Sequence, residues 1–425
     1  MKKLKLVFLD LPQNKYSINA LLGSLETKEE LLSEIEVSLA KTKEELLLEL
    51  SEGIKKHPLV LACFSFFTTQ VWTVLPIIQE VKALYQDKVV VFTGGPHSTG
   101  DFKRVIKVGA DVVVLGEGEE AWIEVLERVL NDKSFEDVEG IAFKDKEGKI
   151  RVNPRSHQID LDRFLPFSPK FKRFGPLEIT RGCPFGCNFC QTSRLFGTKV
   201  RHRSLDKILT AVELLLKRGL RDIRFITPNA FSYGSEDGKT INLESLETLL
   251  KEIKALVGNQ GRIFFGSFPS EVRPEHVTPE TICLVKTYAS NDNLVIGAQT
   301  GSPRMLNLCR RGHTVEDVYR AVRLTIESGL KPKVDFIFGL PEETEEDVLQ
   351  TIKVIEDLVG MGAVVHAHTF MPLPQTPFLN KPLGRLPETL VKLIKSLVGK
   401  GLLFGDWEAQ QSFSQKIYEY FKSSP

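Results

Sequence analysis

The sequence predicts an α/β chain: an N-terminal doubly wound, Rossmann-like domain, then a partial (β/α)6 barrel, then a helical C-terminal extension. Three observations predict it. Short continuous apolar runs alternate with amphipathic stretches along most of the chain. The alternation pauses in a segment with two prolines and several aromatics, then restarts at Pro176. Three cysteines follow directly on the first apolar run after the restart.

A chain of 425 residues exceeds one ordinary core, and the patterning divides it at residues 1–155, 156–175, 176–380 and 381–425. With 42% hydrophobic and 26% charged residues it reads as globular. The formal net charge of +1 gives no global indication of nucleic acid as a partner. No apolar run approaches the ~20 residues that span a bilayer. The N-terminal MKKLKLVFLDLPQ has a lysine-then-apolar order like an export signal. Lys5 and Asp10 interrupt its apolar run and no small-residue cleavage site follows, so a first buried strand is expected. A cytoplasmic, thiol-reducing compartment is the corresponding expectation.

In the first domain, apolar runs at 4–9, 59–65, 89–93 and 111–115 suit strands covered on both faces of a parallel sheet. Between the first two, Leu31, Leu32, Ile35 and Leu39 repeat as one helix face, and so do Leu46, Leu47, Leu50 and Ile54. Helices are expected at 71–85, 101–108 and 119–130, and a hairpin at 140–153 turning at Glu147 and Gly148. Residues 161–175 lack a clean period and read as the connector.

From Pro176 six strand–helix units follow. Strands are expected at 177–180, 222–227, 262–268, 293–298, 333–338 and 363–369. Helices are expected near 205–217, 243–257, 279–288, 315–328 and 345–360. A parallel barrel of this kind places its site at the strands' C-terminal ends. The last ~50 residues read as two helices around a Gly/Phe/Asp/Trp turn.

The motif ITRGCPFGCNFCQTS places Cys183, Cys187 and Cys190 as C-x3-C-x2-C just after the first barrel strand. Thiolates are soft donors that suit iron–sulfur clusters, and three of them leave a [4Fe–4S] cube one open iron. A structural zinc site wants a closed set of four ligands. No second cysteine pair exists, and the nearest downstream histidine is His202.

This motif, with Phe189 before its last cysteine, resembles the signature of the radical S-adenosylmethionine (SAM) superfamily. The resemblance covers roughly 176–380. It implies that the open iron binds the amino and carboxylate groups of SAM. It also implies one-electron cleavage of SAM to methionine and a 5′-deoxyadenosyl radical, fed by a low-potential donor such as flavodoxin or ferredoxin. Asn229 in FITPNAFSYG, Ser267 and Glu271 in FFGSFPSEV and Gln299 in GAQTGS stand at strand ends that match the family's SAM-contacting segments; many relatives carry Glu in place of Gln299. Arg310 and Arg311 follow closely, and a guanidinium suits the SAM carboxylate.

The N-terminal domain carries Ser65 and Thr68 after one strand, then Gly94, Gly95, Pro96 and His97, then Gly116 and Glu117. This arrangement resembles the cobalamin-binding domain of one large radical SAM class, in which methyltransferases are common. Cobalamin is therefore the implied third cofactor, beside the [4Fe–4S] cluster and SAM. The chain departs from the broader cobalamin pattern: Asp10-Leu11-Pro12-Gln13 replaces D-x-H-x-x-G, so no histidine stands there to ligate cobalt. The motifs RGCPFGCNFC, QTGS and RRGHT also resemble methylthiotransferases. Those enzymes carry three further N-terminal cysteines and end in a basic β-barrel, whereas this chain has only Cys63 early and a helical end.

The expected function is thus cobalamin-dependent methyl transfer to an unactivated carbon. The alternatives are a radical SAM enzyme of another outcome (methylthiolation, cyclisation or rearrangement) on a cobalamin-free scaffold, and a non-catalytic sensor. The substrate is not legible in the sequence.

Overall fold

The computed structural model describes residues 2–423. They form two compact units, which divide the chain between Gly175 and Pro176.

The first unit is built on one sheet. Its strands are β1 (Leu4–Leu9), β2 (Ile35–Ala40), β3 (Leu59–Ser65), β4 (Val90–Gly94), β5 (Val112–Val114), β6 (Ile141–Lys144) and β7 (Ile150–Asn153). The spatial order is β2-β1-β3-β4-β5-β6-β7. The first five strands pair in parallel, and β6 and β7 close the edge antiparallel as the expected hairpin. Strand order reverses between β1 and β3, which makes their carboxyl ends the switch point where such sheets take ligands. Asn14 bridges that point, its side-chain amide donating to the carbonyls of Leu9 (3.1 Å) and Ser65 (2.5 Å).

Two local expectations need correction. The helix expected across Leu31–Leu39 is a short helix, Glu29–Ser33, followed by edge strand β2. Ile35, Val37 and Leu39 alternate with polar residues, so the same apolar set also satisfies a period of two, and pairing with β1 decides between them. A helix at Lys15–Leu25 was not expected; its Ile18, Leu22 and Leu25 are buried in the main core of this unit. Residues 156–175 belong to the first unit by packing. Ile159, Leu161 and Phe164 enter its core, and Gly23 lies so close to the Phe167 and Leu165 carbonyls that a Cβ would approach them within 2.6 Å.

The second unit carries β8 (Leu177–Glu178), β9 (Thr180–Arg181), β10 (Arg201–His202), β11 (Asp222–Ile226), β12 (Arg262–Phe264), β13 (Asn293–Gln299), β14 (Lys331–Phe338), β15 (Val364–Thr369) and β16 (Leu403–Phe404). Two parallel sheets, β8-β11-β12 and β13-β14-β15-β16, are joined where residues 266–272 bond to Val295 and Gly297. The result is an open arc of a barrel. Helices Leu205–Lys217, Leu243–Val257, Pro279–Tyr288, Val315–Glu327 and Glu345–Met361 connect the strands where the periodicity places them. Thr278, Thr314 and Thr344 cap three of these helices through their hydroxyls.

The strand expected at 262–268 stops at Phe264, because Gly266 takes a left-handed conformation (φ 69°) and turns the chain. The C-terminal extension is not wholly helical. Between helices Glu388–Gly399 and Trp407–Lys422, β16 adds a further parallel strand beside β15. No helix among the described residues is long and apolar enough to cross a membrane.

Candidate functional site

The site is assembled at the carboxyl edge of the barrel arc. After β9 the chain enters the cysteine loop through Gly182 (φ 89°), where a Cβ would fall 2.2 Å from the Lys199 carbonyl oxygen. Only glycine fits there. Backbone bonds then fix the loop: Cys183 N–H to the Gly197 carbonyl, Cys190 N–H to that of Cys187, and Asn188 N–H to that of Cys309. The Asn188 side chain adds a bond to the Leu308 carbonyl at 2.7 Å. Phe189 packs against an apolar group of Met305, Cys309, Leu340, Phe370 and Phe378. An order of local turns and one aromatic anchor thus presents the three thiols.

Cys183, Cys187 and Cys190 all line one cavity of about 650 Å3. Burial raises the Cys183 and Cys190 thiols above the usual range. Metal binding must therefore displace their protons. The other cysteines lie elsewhere. Cys63 is a buried member of the first unit's core and Cys283 is exposed. Cys309 is buried behind Phe189, its thiol pushed up to about 12 by burial.

The opposite wall is polar. Gln299, Glu271 and Arg311 converge over Gly297: a Cβ on that glycine would lie 2.8 Å from Gln299 Nε2, 3.0 Å from Glu271 Oε2 and 3.1 Å from Arg311 Nη2. Arg311 reaches across to the cysteine loop, with Nη1 3.6 Å from Cys187 Sγ and Nη2 donating to the Gly297 carbonyl at 2.7 Å. Its Nε is buried with no partner among the described residues. Burial, with Asp335 beside it, pushes the Glu271 carboxyl above its ordinary range.

The remaining expected contacts separate into those the cavity gathers and those it leaves out. Arg310 is exposed and takes a left-handed conformation (φ 57°), so the arginine pair splits and only Arg311 faces the cavity. Asn229 lines the cavity, but its amide is engaged, donating to His276 Nδ1 at 2.6 Å and accepting from the Arg273 N–H at 3.1 Å. Ser267 lies outside the lining; Ser270 and Glu271 occupy it instead. Sequence reasoning missed Arg273, whose guanidinium stacks 3.4 Å over the Phe185 ring and donates to the Arg311 carbonyl. It also missed Asp335, His366 and His368 on the far wall. The alternation in VHAHT was the available signal, since residues two apart on a strand share a face.

In the first unit the expected ligand loops are largely bonded to one another. His97 is fully buried in the helix Gly95–Gly100, near Phe66, with Nδ1 3.2 Å from Thr68 Oγ1. Burial pushes its ring down to about 3, so it is a neutral core histidine. Gly116 N–H donates to Thr99 Oγ1, and the Glu117 carboxylate accepts from the Ile159 N–H at 3.1 Å. Ser65 is buried, and a Cβ on Gly95 would lie 2.8 Å from its Oγ and 2.9 Å from Phe66 N. Gly95 is therefore required by the protein's own packing. Gly94 differs: the nearest atoms to a Cβ there are 3.8 Å away. Gly94 and Pro96 are half-buried. Asp10, at the position after β1, is held by both guanidinium nitrogens of Arg173, at 2.5 and 2.7 Å.

Comparison with known proteins places these features in a family. The Radical SAM superfamily model matches residues 177–355, and the B12 binding domain model matches residues 31–126. A protein of Methanocaldococcus jannaschii, MJ1620, is 27% identical over 80% of this chain and 73% of its own length. The anaerobic magnesium-protoporphyrin IX monomethyl ester cyclase of Rubrivivax gelatinosus is 27% identical over 71% of this chain and 54% of its own. Among solved structures, the radical S-adenosylmethionine methyltransferase TsrM of Kitasatospora setae, with cobalamin and a [4Fe-4S] cluster bound, superposes with a TM-score of 0.67. It is 20% identical, with 89% of this chain and 77% of that one covered.

Proposed function

The chain is a radical SAM superfamily member with an N-terminal B12-binding domain, and on that premise we propose that it is a cobalamin-dependent methyltransferase. The observation that carries the radical SAM part is the single cavity shared by Cys183, Cys187, Cys190 and Arg311. The donor set fits a [4Fe–4S] cluster: three soft ligands on one rigid loop, and no fourth cysteine or histidine within hydrogen-bonding reach of them among the described residues.

When bound, the cluster supplies the electron that cleaves SAM reductively. The chain's own residues do the rest. Arg311 offers a buried guanidinium nitrogen without a partner among the described residues, suited to the SAM carboxylate. Gln299 and Glu271 present an amide and a carboxyl over the small surface of Gly297, suited to a ribose or an amino group. Phe185 under Arg273, with Phe189, Val200 and Val295, gives the cavity apolar walls that exclude water from a reactive species.

Cobalamin, when bound, supplies the methyl group. Its fit to the first unit rests on the half-buried, side-chain-free Gly94 and on the carboxyl ends of β3 and β4, since most polar side chains there are internally bonded. TsrM, a methyltransferase with cobalamin bound, shares the fold and supports this reading. The similarity to a cyclase supports a second one, in which the same radical chemistry ends in ring closure. Equilibrium binding of hydroxocobalamin under anaerobic conditions, followed by analysis of the products of labelled SAM, tests the proposal. Saturable binding with methyl transfer is expected; no binding in protein that still cleaves SAM would withdraw the methyltransferase assignment.

A further inference from the structure

Strands β14 and β15 carry a second set of potential ligands. In register, Asp335 stands opposite His366. His366 Nδ1 lies 2.9 Å from Asp335 Oδ1 and 3.2 Å from His368 Nε2. All three side chains line the cavity wall and are brought to one point by strand geometry alone. His366 is held in plane by Phe404 of β16, stacked at 4.5 Å with an interplanar angle of 7°. His368 packs edge-on to His366 at 4.1 Å.

The Nδ1 of His366 faces a carboxylate oxygen and a second ring nitrogen at once, so three electron-donating atoms turn toward one point, where a proton or a cation can be shared. The three ligand atoms all lie within 4.8 Å of one another, close enough to hold one metal ion together. The two separations at His366 agree with this: ligands bonded at about 2.0–2.1 Å and about 90–109° apart lie about 2.9–3.4 Å from each other. Two histidines and one carboxylate on one face, with the remaining positions open, suit a divalent first-row transition ion.

We propose that Asp335, His366 and His368 form a mononuclear site for a divalent transition-metal ion of the zinc or ferrous type, separate from the cysteine cluster. Its open coordination positions face the cavity. The ion there would hold a substrate that offers oxygen or nitrogen donors, such as a carboxylate, and would fix its orientation toward the cysteine loop.

The test uses full-length protein with its cluster reconstituted, equilibrated with Zn2+ and freed of excess metal by gel filtration. About one zinc per chain is expected in addition to the iron, with nitrogen and oxygen neighbours by X-ray absorption at the zinc edge. His366→Ala and His368→Ala should lose that zinc at unchanged iron and sulfide. Asp335→Asn, nearly isosteric, should weaken zinc affinity at least tenfold with an unchanged melting temperature, which covers the case in which a histidine variant fails to fold. Equal zinc in wild type and all three variants, or sulfur neighbours at the zinc edge, would overturn the proposal. The result stands apart from the radical SAM reading, because zinc held by nitrogen and oxygen in a chain that cleaves no SAM would leave this site in place.

Discussion

Arg311 sets one guanidinium nitrogen 3.6 Å from the Cys187 sulfur and donates another to the Gly297 carbonyl at 2.7 Å. One side chain thus spans from the cysteine loop to the wall where Gln299 and Glu271 meet. Its neighbour Arg310 is exposed and contributes its carbonyl, 3.8 Å from the same sulfur, rather than its charge.

Arg311→Met should therefore weaken SAM binding about tenfold or more, the scale of one lost hydrogen bond to a charged group. Arg310→Met should leave affinity within about twofold. Calorimetric titration of both reconstituted variants decides it; equal losses, or none in either, would remove Arg311 from the SAM site.

The two adjacent glycines after β4 should behave differently. Gly95→Ala forces a side chain against Ser65 Oγ and Phe66 N at φ 86°, so it should cost about 2 kcal/mol or more of stability, read from thermal melts. At Gly94 a Cβ meets only ordinary van der Waals contact, with Val114 at 3.8 Å, so Gly94→Leu should fold and yet exclude cobalamin. Undiminished hydroxocobalamin binding by Gly94→Leu would move the ligand away from β4.

His97 provides a pH dependence of known sign. Its folded-state value, about 3, lies below the ordinary 6.5, so between those values the unfolded chain binds a proton that the folded chain refuses. Stability is fully present above about pH 6.5 and falls as pH drops toward 3, by at most about 1.4 kcal/mol per pH unit. His97→Gln should flatten its share of that slope in denaturant titrations run from pH 7 to pH 4. The same variant should keep the wild-type absorbance of bound cobalamin; a changed spectrum would make His97 a cobalt ligand after all.

Cys309 is a core residue packed with Phe370 and Phe378. Cys309→Ser should retain iron and sulfide while losing about 1–3 kcal/mol from burying a hydroxyl. Iron loss at unchanged stability would make Cys309 a fourth ligand.

Legibility in the sequence followed distance along the chain. The cysteine loop was legible because its ligands and its turn-forming glycines are consecutive. Most barrel strands and helices were legible because each keeps one period for its whole length. Strand β2 was not, since Ile35 and Leu39 serve a helix face and a strand face equally well until β1 pairs with them. His366 and His368 share a strand face by local alternation, but their meeting with Asp335 was not legible, because parallel register joins residues about thirty positions apart. Arg310 and Arg311 looked equivalent until the left-handed turn at Arg310 sent the two side chains to different environments.

Anaerobic reconstitution followed by SAM and dithionite tests the central claim most directly. The wild-type chain should take up about four irons and four sulfides, the content of one [4Fe–4S] cube, and release 5′-deoxyadenosine and methionine. Cys183→Ala, Cys187→Ala and Cys190→Ala should each abolish that release. Wild type that holds zinc without sulfide at these cysteines, or a Cys187→Ala variant that still releases 5′-deoxyadenosine, would contradict it.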